Sequence, residues 1–147
     1  MAERVFVEEG LPVDLVWVAQ VESGWKIDAE SPAKARGLWQ LIPATGERFG
    51  LECDGSSDER IDAEKSTRAA AKYLKWLGKR YKGDWLLAMG AYNCGEGGMD
   101  RAIERAGSKD FWTIARAGAL PNETANYVPA ILATIRIAES PKRFGLA

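Results

Sequence analysis

Glu22 is a carboxylate in a place where helix stability alone would not put one. The stretch from Pro12 to Gly24 reads as a helix. Pro12 suits a first helical position, Val13, Leu15, Val16, Trp17, Val18, Ala19 and Val21 are apolar, and Ser23-Gly24 supplies a stop. Glu22 then falls in the last turn, facing the negative end of the helix macrodipole and mostly apolar neighbours. Both effects disfavour the charged form, so a carboxyl that keeps its proton near neutral pH is expected. The competing reading is a solvated glutamate at a frayed helix end, where Lys or Arg would suit the dipole better.

The rest of the composition narrows the chemistry. The chain has no histidine, which removes Ser-His-Asp and Cys-His nucleophile systems in their usual form, together with the commonest zinc ligand. Any acid-base chemistry must therefore use carboxylates. Cys53 and Cys94 lack the C-x-x-C spacing of metal and redox sites, and they read either as two free thiols or as one disulfide. No metal ligand set and no cofactor are called for.

With 147 residues, 46% of them hydrophobic, one domain with a sizeable core is expected. Six Trp, four Tyr and four Phe can furnish that core, and could equally stack on flat, weakly polar ligands such as sugar rings. The start of the chain has no basic segment followed by an apolar one, and no apolar run approaches the roughly 18 residues of a membrane helix. The expectation is a soluble chain without an export signal, or a catalytic domain cut from a longer precursor. A net charge of −1 hides an asymmetry, with 14 acids against 6 bases in residues 1–64 and 7 acids against 14 bases in 65–147. Such polarity could steer the molecule to an anionic surface. It is not the pervasive basic excess of a dedicated nucleic-acid binder.

The elements that must position Glu22 follow in order. Residues 25–36 have Pro32 and no period, so they read as a loop. Gly37-Leu38-Trp39-Gln40 makes a tight turn, Pro43 opens a brief helix ended by Gly50, and residues 51–60 form a polar loop. Asp62 caps a long helix to about Tyr81, with Ala70, Tyr73, Leu74, Leu77 and Tyr81 on one face. Lys65, Arg68, Lys72, Lys75, Lys79 and Lys82 recur on the other face, as a solvated surface or an anion-binding stripe. Asp84 recaps the chain before Trp85–Tyr92, which is apolar nearly all round and so reads as the central buried helix. A glycine-rich turn at 93–98, a helix with Met99, Ala102, Ile103 and Ala106 inward, a short segment 110–115 and a last helix kinked at Pro129 complete the reading. An all-α fold of about seven to nine helices with little or no sheet is expected.

Taken in order, these blocks resemble the catalytic domain of the soluble lytic transglycosylases, within the goose-lysozyme-like superfamily, and especially its membrane-bound D-type branch. Glu22-Ser23 is similar to the family's Glu-Ser. Ser31-Pro32, Gly37-Leu38-Trp39-Gln40 and Pro43-Ala44-Thr45-Gly46 follow in the family's order. So do Gly83-Asp84-Trp85, Ala91-Tyr92-Asn93 with Gly95, and Glu123-Thr124 with Tyr127-Val128. The resemblance covers residues 11–140 and implies a compact, lysozyme-like single domain over 1–147. Two positions depart from the pattern. Lys34 stands where a glycine is usual, and Lys tolerates positive φ poorly; Cys94 replaces a small residue.

The resemblance implies an enzyme that cleaves the β-1,4 bond between N-acetylmuramic acid and N-acetylglucosamine in peptidoglycan. Glu22 would act as acid and then as base, leaving a 1,6-anhydro sugar end. It also implies that Ser31, Gln40, Tyr92, Asn93 and Tyr127 bind the glycan through hydroxyl, amide and ring. For Tyr92 and Asn93 the alternatives are a core tyrosine and a helix cap. The implied partner is the glycan strand, with no nucleic acid, for a monomer in the periplasm or cell envelope. A hydrolysing muramidase would want a second carboxylate, for which Asp28, Glu30 and Asp54 are available. A catalytically silent wall-binding module is the remaining alternative.

Overall fold

The computed structural model describes residues 1–146, which divide into two compact units, Met1–Lys75 and the residues from Trp76 onward. Among the described residues there are eight α-helices and one two-stranded hairpin, in agreement with the all-α expectation.

In the first unit, α1 (Ala2–Glu8) has Val5 and Phe6 buried. This helix is absent from the sequence reading, because seven residues with two buried positions carry too little periodicity to declare it. A 3₁₀ turn over Val13–Trp17 leads into α2 (Val18–Ser23). Pro12 sits one place earlier than expected, before the turn rather than as its first residue. Gly24 ends α2 in the left-handed conformation, with its N–H on the Gln20 carbonyl. Pro43 opens α3 (Pro43–Arg48) as expected. The polar loop contains strands β1 (Cys53–Asp54) and β2 (Ser57–Asp58), paired antiparallel with Cys53 opposite Asp58. Asp62 then accepts the Lys65 N–H at 2.8 Å and starts α4 (Ala63–Arg80).

Trp39 is the largest fully buried side chain of this unit. Its ring stacks on Phe6 at 5.2 Å, and its indole N–H donates to the Thr67 hydroxyl at 2.9 Å. The indole thus keeps a partner when desolvated. Three ion pairs run from α1 or the residue after it to α4: Arg4 with Glu64, Arg68 with Glu8, and Lys75 with Glu9. Lys65 pairs with Glu59. Half of the basic stripe is therefore matched by acids, and these exposed pairs contribute little individually.

In the second unit, Asp84 accepts the Leu87 N–H at 3.1 Å and opens α5 (Trp85–Cys94), buried continuously from Leu87 to Tyr92. Around it lie α6 (Glu96–Ala106) with Met99 and Ala102, α7 (Phe111–Arg116) with Phe111 and Ile114, and α8 (Asn122–Glu139) with Tyr127, Val128 and Ile131 buried. Gly97 and Gly98 belong to the first turn of α6, and Gly95 alone makes the break. Helix α8 runs on through Pro129, which forgoes one backbone bond inside it. Gly78 is required because a Cβ there would meet the Trp85 ring at 2.4 Å.

One charged group in the first unit is buried. Arg60 is 6% exposed, and its Nε and Nη2 donate to the two oxygens of Asp58 at 2.9 and 2.6 Å. Arg36 adds a third contact at 3.0 Å. The Arg60 guanidinium first, and Arg36 after it, hold the Asp58 carboxyl far below the usual carboxylate range. A depressed carboxyl contributes stability that is present above its unfolded value of about 3.9 and lost as pH falls toward the folded one. Asp58→Asn is expected to cost about 3 kcal/mol at pH 7, since it leaves a buried guanidinium without its counter-charge. Urea unfolding at pH 7 and at pH 2.5 checks this. The gap between variant and wild type should narrow at the lower pH, and an unchanged gap would exclude the ion pair as its origin.

Candidate active site

Glu22 is half-buried and next to last in α2, where the sequence reading puts it. The adjacent Ser23 does a positioning job that its motif alone does not reveal. Its hydroxyl lies 2.8 Å from the Leu38 carbonyl and 3.2 Å from that of Ala19. With one proton to give, it ties the end of α2 to the 37–40 turn, 15 residues later. Trp25, just past the helix stop, has φ +63. Its ring stands edge-on to Trp17 at 6.3 Å and to Trp39 at 6.1 Å. The aromatic cluster therefore reaches from the Glu22 helix to the core.

Gln40 is half-buried with φ +48. Its side-chain NH₂ donates to the carbonyls of Ala29 (3.0 Å) and Gly37 (2.9 Å), the partners that a buried amide requires. The Gly37 N–H also donates to Ala29, at 2.8 Å, so the Gln40 amide and the turn backbone clamp the same carbonyl. Ser31 closes the preceding bend, where its hydroxyl accepts the Ala35 N–H at 3.1 Å and its N–H donates to the Ala35 carbonyl at 2.9 Å. Both residues thus build the loop, whatever they offer a ligand.

Arg60 supports this loop from below with the nitrogen that Asp58 leaves over. Its Nη1 donates to the carbonyls of Lys34 (2.6 Å) and Leu41 (3.0 Å), the two ends of the segment that carries Gln40. Gly37 packs so tightly on the Arg60 backbone that a Cβ would lie 2.0 Å from its carbonyl oxygen. Lys34 takes φ +65, the left-handed geometry usual for a glycine. The sequence reading did not single out Arg60. An arginine in a polar loop looks solvated until its carbonyl partners, 19 and 26 residues away, are known.

In the second unit, Tyr92 is buried at the end of α5 and Asn93 half-buried beside it. The Asn93 Oδ1 accepts from the Thr124 hydroxyl at 2.8 Å, and its Nδ2 lies 3.4 Å from Glu123. Thr124 is 1% exposed, and Tyr127, also buried, follows one turn later in α8. The helix-cap alternative for Asn93 gives way to a side-chain bond with α8. Cys53 and Cys94 are free thiols, each pushed up by burial. Of the carboxylates available to a hydrolase, Glu30 is within 4.0 Å of Lys34 and Arg36, and Asp54 caps the hairpin turn at Ser56 and Ser57.

A family model described as the transglycosylase SLT domain matches residues 8–115. The chain is 41% identical over 143 residues to membrane-bound lytic murein transglycosylase D of Escherichia coli K12, covering 95% of this chain and 31% of that protein. It is 36% identical over 135 residues to the peptidoglycan transglycosylase gp16 of phage T7, 90% of this chain and 10% of that one. It thus spans less than a third of the length of either relative. The lytic transglycosylase Slt of Pseudomonas aeruginosa superimposes with a TM-score of 0.78 at 24% identity, covering 99% of this chain and 24% of that one, a likeness of fold.

Two substitutions in the loop should have opposite signs. Gly37→Ala meets the Arg60 carbonyl and a φ of +82, and is expected to destabilise by more than about 2 kcal/mol. Lys34→Gly relieves a left-handed lysine, at some cost in unfolded-chain entropy, for a net gain of about 0.5 kcal/mol. Thermal melts read both. A Gly37→Ala protein as stable as the wild type would show that the turn relaxes without penalty.

Proposed function

The chain belongs to the transglycosylase SLT domain family, and from that premise we propose that it cleaves peptidoglycan as a lytic transglycosylase with Glu22 as its single acid-base group. The observation that carries this reading is the tie from Ser23 to the Leu38 carbonyl. It makes the helix end bearing Glu22 and the turn bearing Gln40 one built element. Protonated Glu22 donates to the oxygen of the β-1,4 bond between N-acetylmuramic acid and N-acetylglucosamine. The negative end of the helix dipole favours that protonated form. The substrate's own 2-acetamido group stabilises the positive charge that develops, as in substrate-assisted glycosidases. The Glu22 carboxylate then takes the proton of the C6 hydroxyl, whose oxygen attacks the anomeric carbon and closes a 1,6-anhydro ring. No water is consumed.

Ser31, Gln40, Tyr92, Asn93 and Tyr127 are assigned to glycan binding in this reading. The Gln40 NH₂ already serves the loop, so the reading assigns its amide oxygen to the sugar. A murein enzyme would work in the periplasm or cell envelope.

Glu22→Gln should fold with unchanged thermal stability and lose about 10²–10⁴-fold in bond cleavage, because one group serves both steps. Retention of more than a tenth of the activity would remove Glu22 from the mechanism. Mass spectrometry of digested peptidoglycan tests the reaction type. Intramolecular attack enjoys effective molarities of about 10⁵–10⁸ M, so the C6 hydroxyl should outcompete water. Products should be lighter than hydrolysed ones by one water and resist borohydride. Reducible ends carrying solvent oxygen-18 would make the enzyme a muramidase.

A further inference from the structure

Thr124 is buried in the first turn of α8, so it cannot touch a glycan itself, and its hydroxyl is spent in an unusual direction. A threonine in a helix commonly returns its proton to the carbonyl three or four residues back. Thr134 of the same helix does so, donating to Ala130 at 2.8 Å, and Thr67 of α4 donates to Ala63 at 2.6 Å. Thr124 instead sends its one proton across to α5, to the Asn93 Oδ1 at 2.8 Å, 31 residues away in sequence.

The other branch of the side chain faces the same helix. The Thr124 methyl carbon lies 3.7 Å from the place a Cβ would take on Gly90, about one turn before Asn93 in α5. A β-branched residue has few χ1 choices, so a methyl packed toward Gly90 leaves the hydroxyl aimed. Another neighbour of that hydroxyl is the Cys94 sulfur, a weak hydrogen-bonding group, and the amide oxygen of Asn93 is the stronger acceptor for the proton.

The consequence falls on Asn93. The terminal torsion of an asparagine is broad and roughly two-fold, so its amide can turn either the oxygen or the nitrogen outward. Thr124 donates to Oδ1, and the Glu123 carboxylate, an acceptor, lies 3.4 Å from Nδ2, so both neighbours select the same orientation. Nδ2 carries two protons, and the long Glu123 contact engages at most one of them, which leaves a donor for a ligand. Packing alone would be met by valine, which has the shape of threonine and no hydroxyl to desolvate.

We infer that Thr124 is a positioning residue of the glycan site, which holds the Asn93 amide with Nδ2 outward. The group that Asn93 recognises is then an acceptor oxygen of the sugar, in a hydroxyl or an acetamido carbonyl. An amide turned the other way would select sugar N–H and O–H donors instead. The positioning role rests on the proposed reading of Asn93 as a glycan ligand. It involves α5 and α8 of the second unit and no step of the acid-base chemistry.

Cleavage kinetics of the full chain on soluble, uncrosslinked peptidoglycan, with thermal melts in parallel, separate the two branches of Thr124. Thr124→Val keeps the methyl and loses the proton, and should raise KM about fivefold while kcat changes less than about twofold and Tm stays within about 2 °C. Thr124→Ser keeps the proton and loses the methyl, and should lower Tm by about 3 °C with KM within about twofold of wild type. A role in stability alone would leave KM at the wild-type value in both variants, and that result would overturn the proposal. Asn93→Ala should raise KM at least as much as Thr124→Val, and adding Thr124→Val to it should change KM no further. Asn93→Asp keeps the acceptor for Thr124 and loses the outward donor, so it should resemble Asn93→Ala. A wild-type KM in Asn93→Asp would put the oxygen toward the glycan and overturn the proposal, even if no Thr124 variant folds. Additive effects in the cycle would overturn the positioning role alone, whereas a wild-type KM in Asn93→Ala would overturn it together with the glycan assignment of Asn93.

Discussion

The loop that carries Gln40 depends on one buried cation. Arg60 spends Nε and Nη2 on Asp58 and is left with Nη1, which holds the carbonyls of Lys34 and Leu41. A guanidinium out of water is costly unless every donor is matched, and that requirement turns an ion pair into a scaffold. The loop between those carbonyls has no helix or strand of its own beyond isolated bridges, so side-chain and turn bonds must satisfy its backbone. Lysine in place of Arg60 could not serve both, since a single ammonium has no fork to divide between carboxylate and carbonyl.

This arrangement explains why strain collects in residues 25–40. Trp25, Lys34 and Gln40 all take positive φ without being glycine, and Gly37 approaches another backbone more closely than any Cβ allows. Left-handed residues cost about 1–2 kcal/mol each, and persist only where surrounding contacts over-determine them. Here those contacts are named: the Ser23 hydroxyl on Leu38, the Gln40 amide on Ala29 and Gly37, and Arg60 beneath. A rigid, irregular loop can aim side chains that a helix face would space at fixed intervals.

The helices were legible where the pattern is local. Asp62 and Asp84 cap α4 and α5 with their own side chains, and the apolar run of α5 is the buried helix it reads as. The position of Glu22, the Gly24 stop and the Pro43 start were likewise in the residues themselves. What could not be read is contact across sequence distance. Arg60 differs from a solvated arginine only through carbonyls far along the chain, and Ser23 differs from a helix-end serine only through Leu38. Helix α1 is too short to show a period, yet Phe6 on Trp39 anchors the core. For Ser31 and Gln40 the residue types did not reveal the loop bonds, to Ala35 and to Ala29 and Gly37, that give them a structural task.

Charge shows the same division between local and distant information. The alternating lysines and arginines of α4 form one stripe in the sequence, but Lys65, Arg68 and Lys75 face acids of the first unit. Within residues 1–75 there are 14 acids against 10 bases, and within 76–147 there are 7 acids against 10 bases. The excess of positive charge therefore belongs to the second unit, which also carries Tyr92, Asn93 and Tyr127. Exposed pairs in the first unit lower its field at the cost of little stability, whereas unmatched lysines in the second leave theirs available to solvent. A stripe that looks uniform in sequence is thus divided between matched and unmatched charges once the acids that answer it are in place.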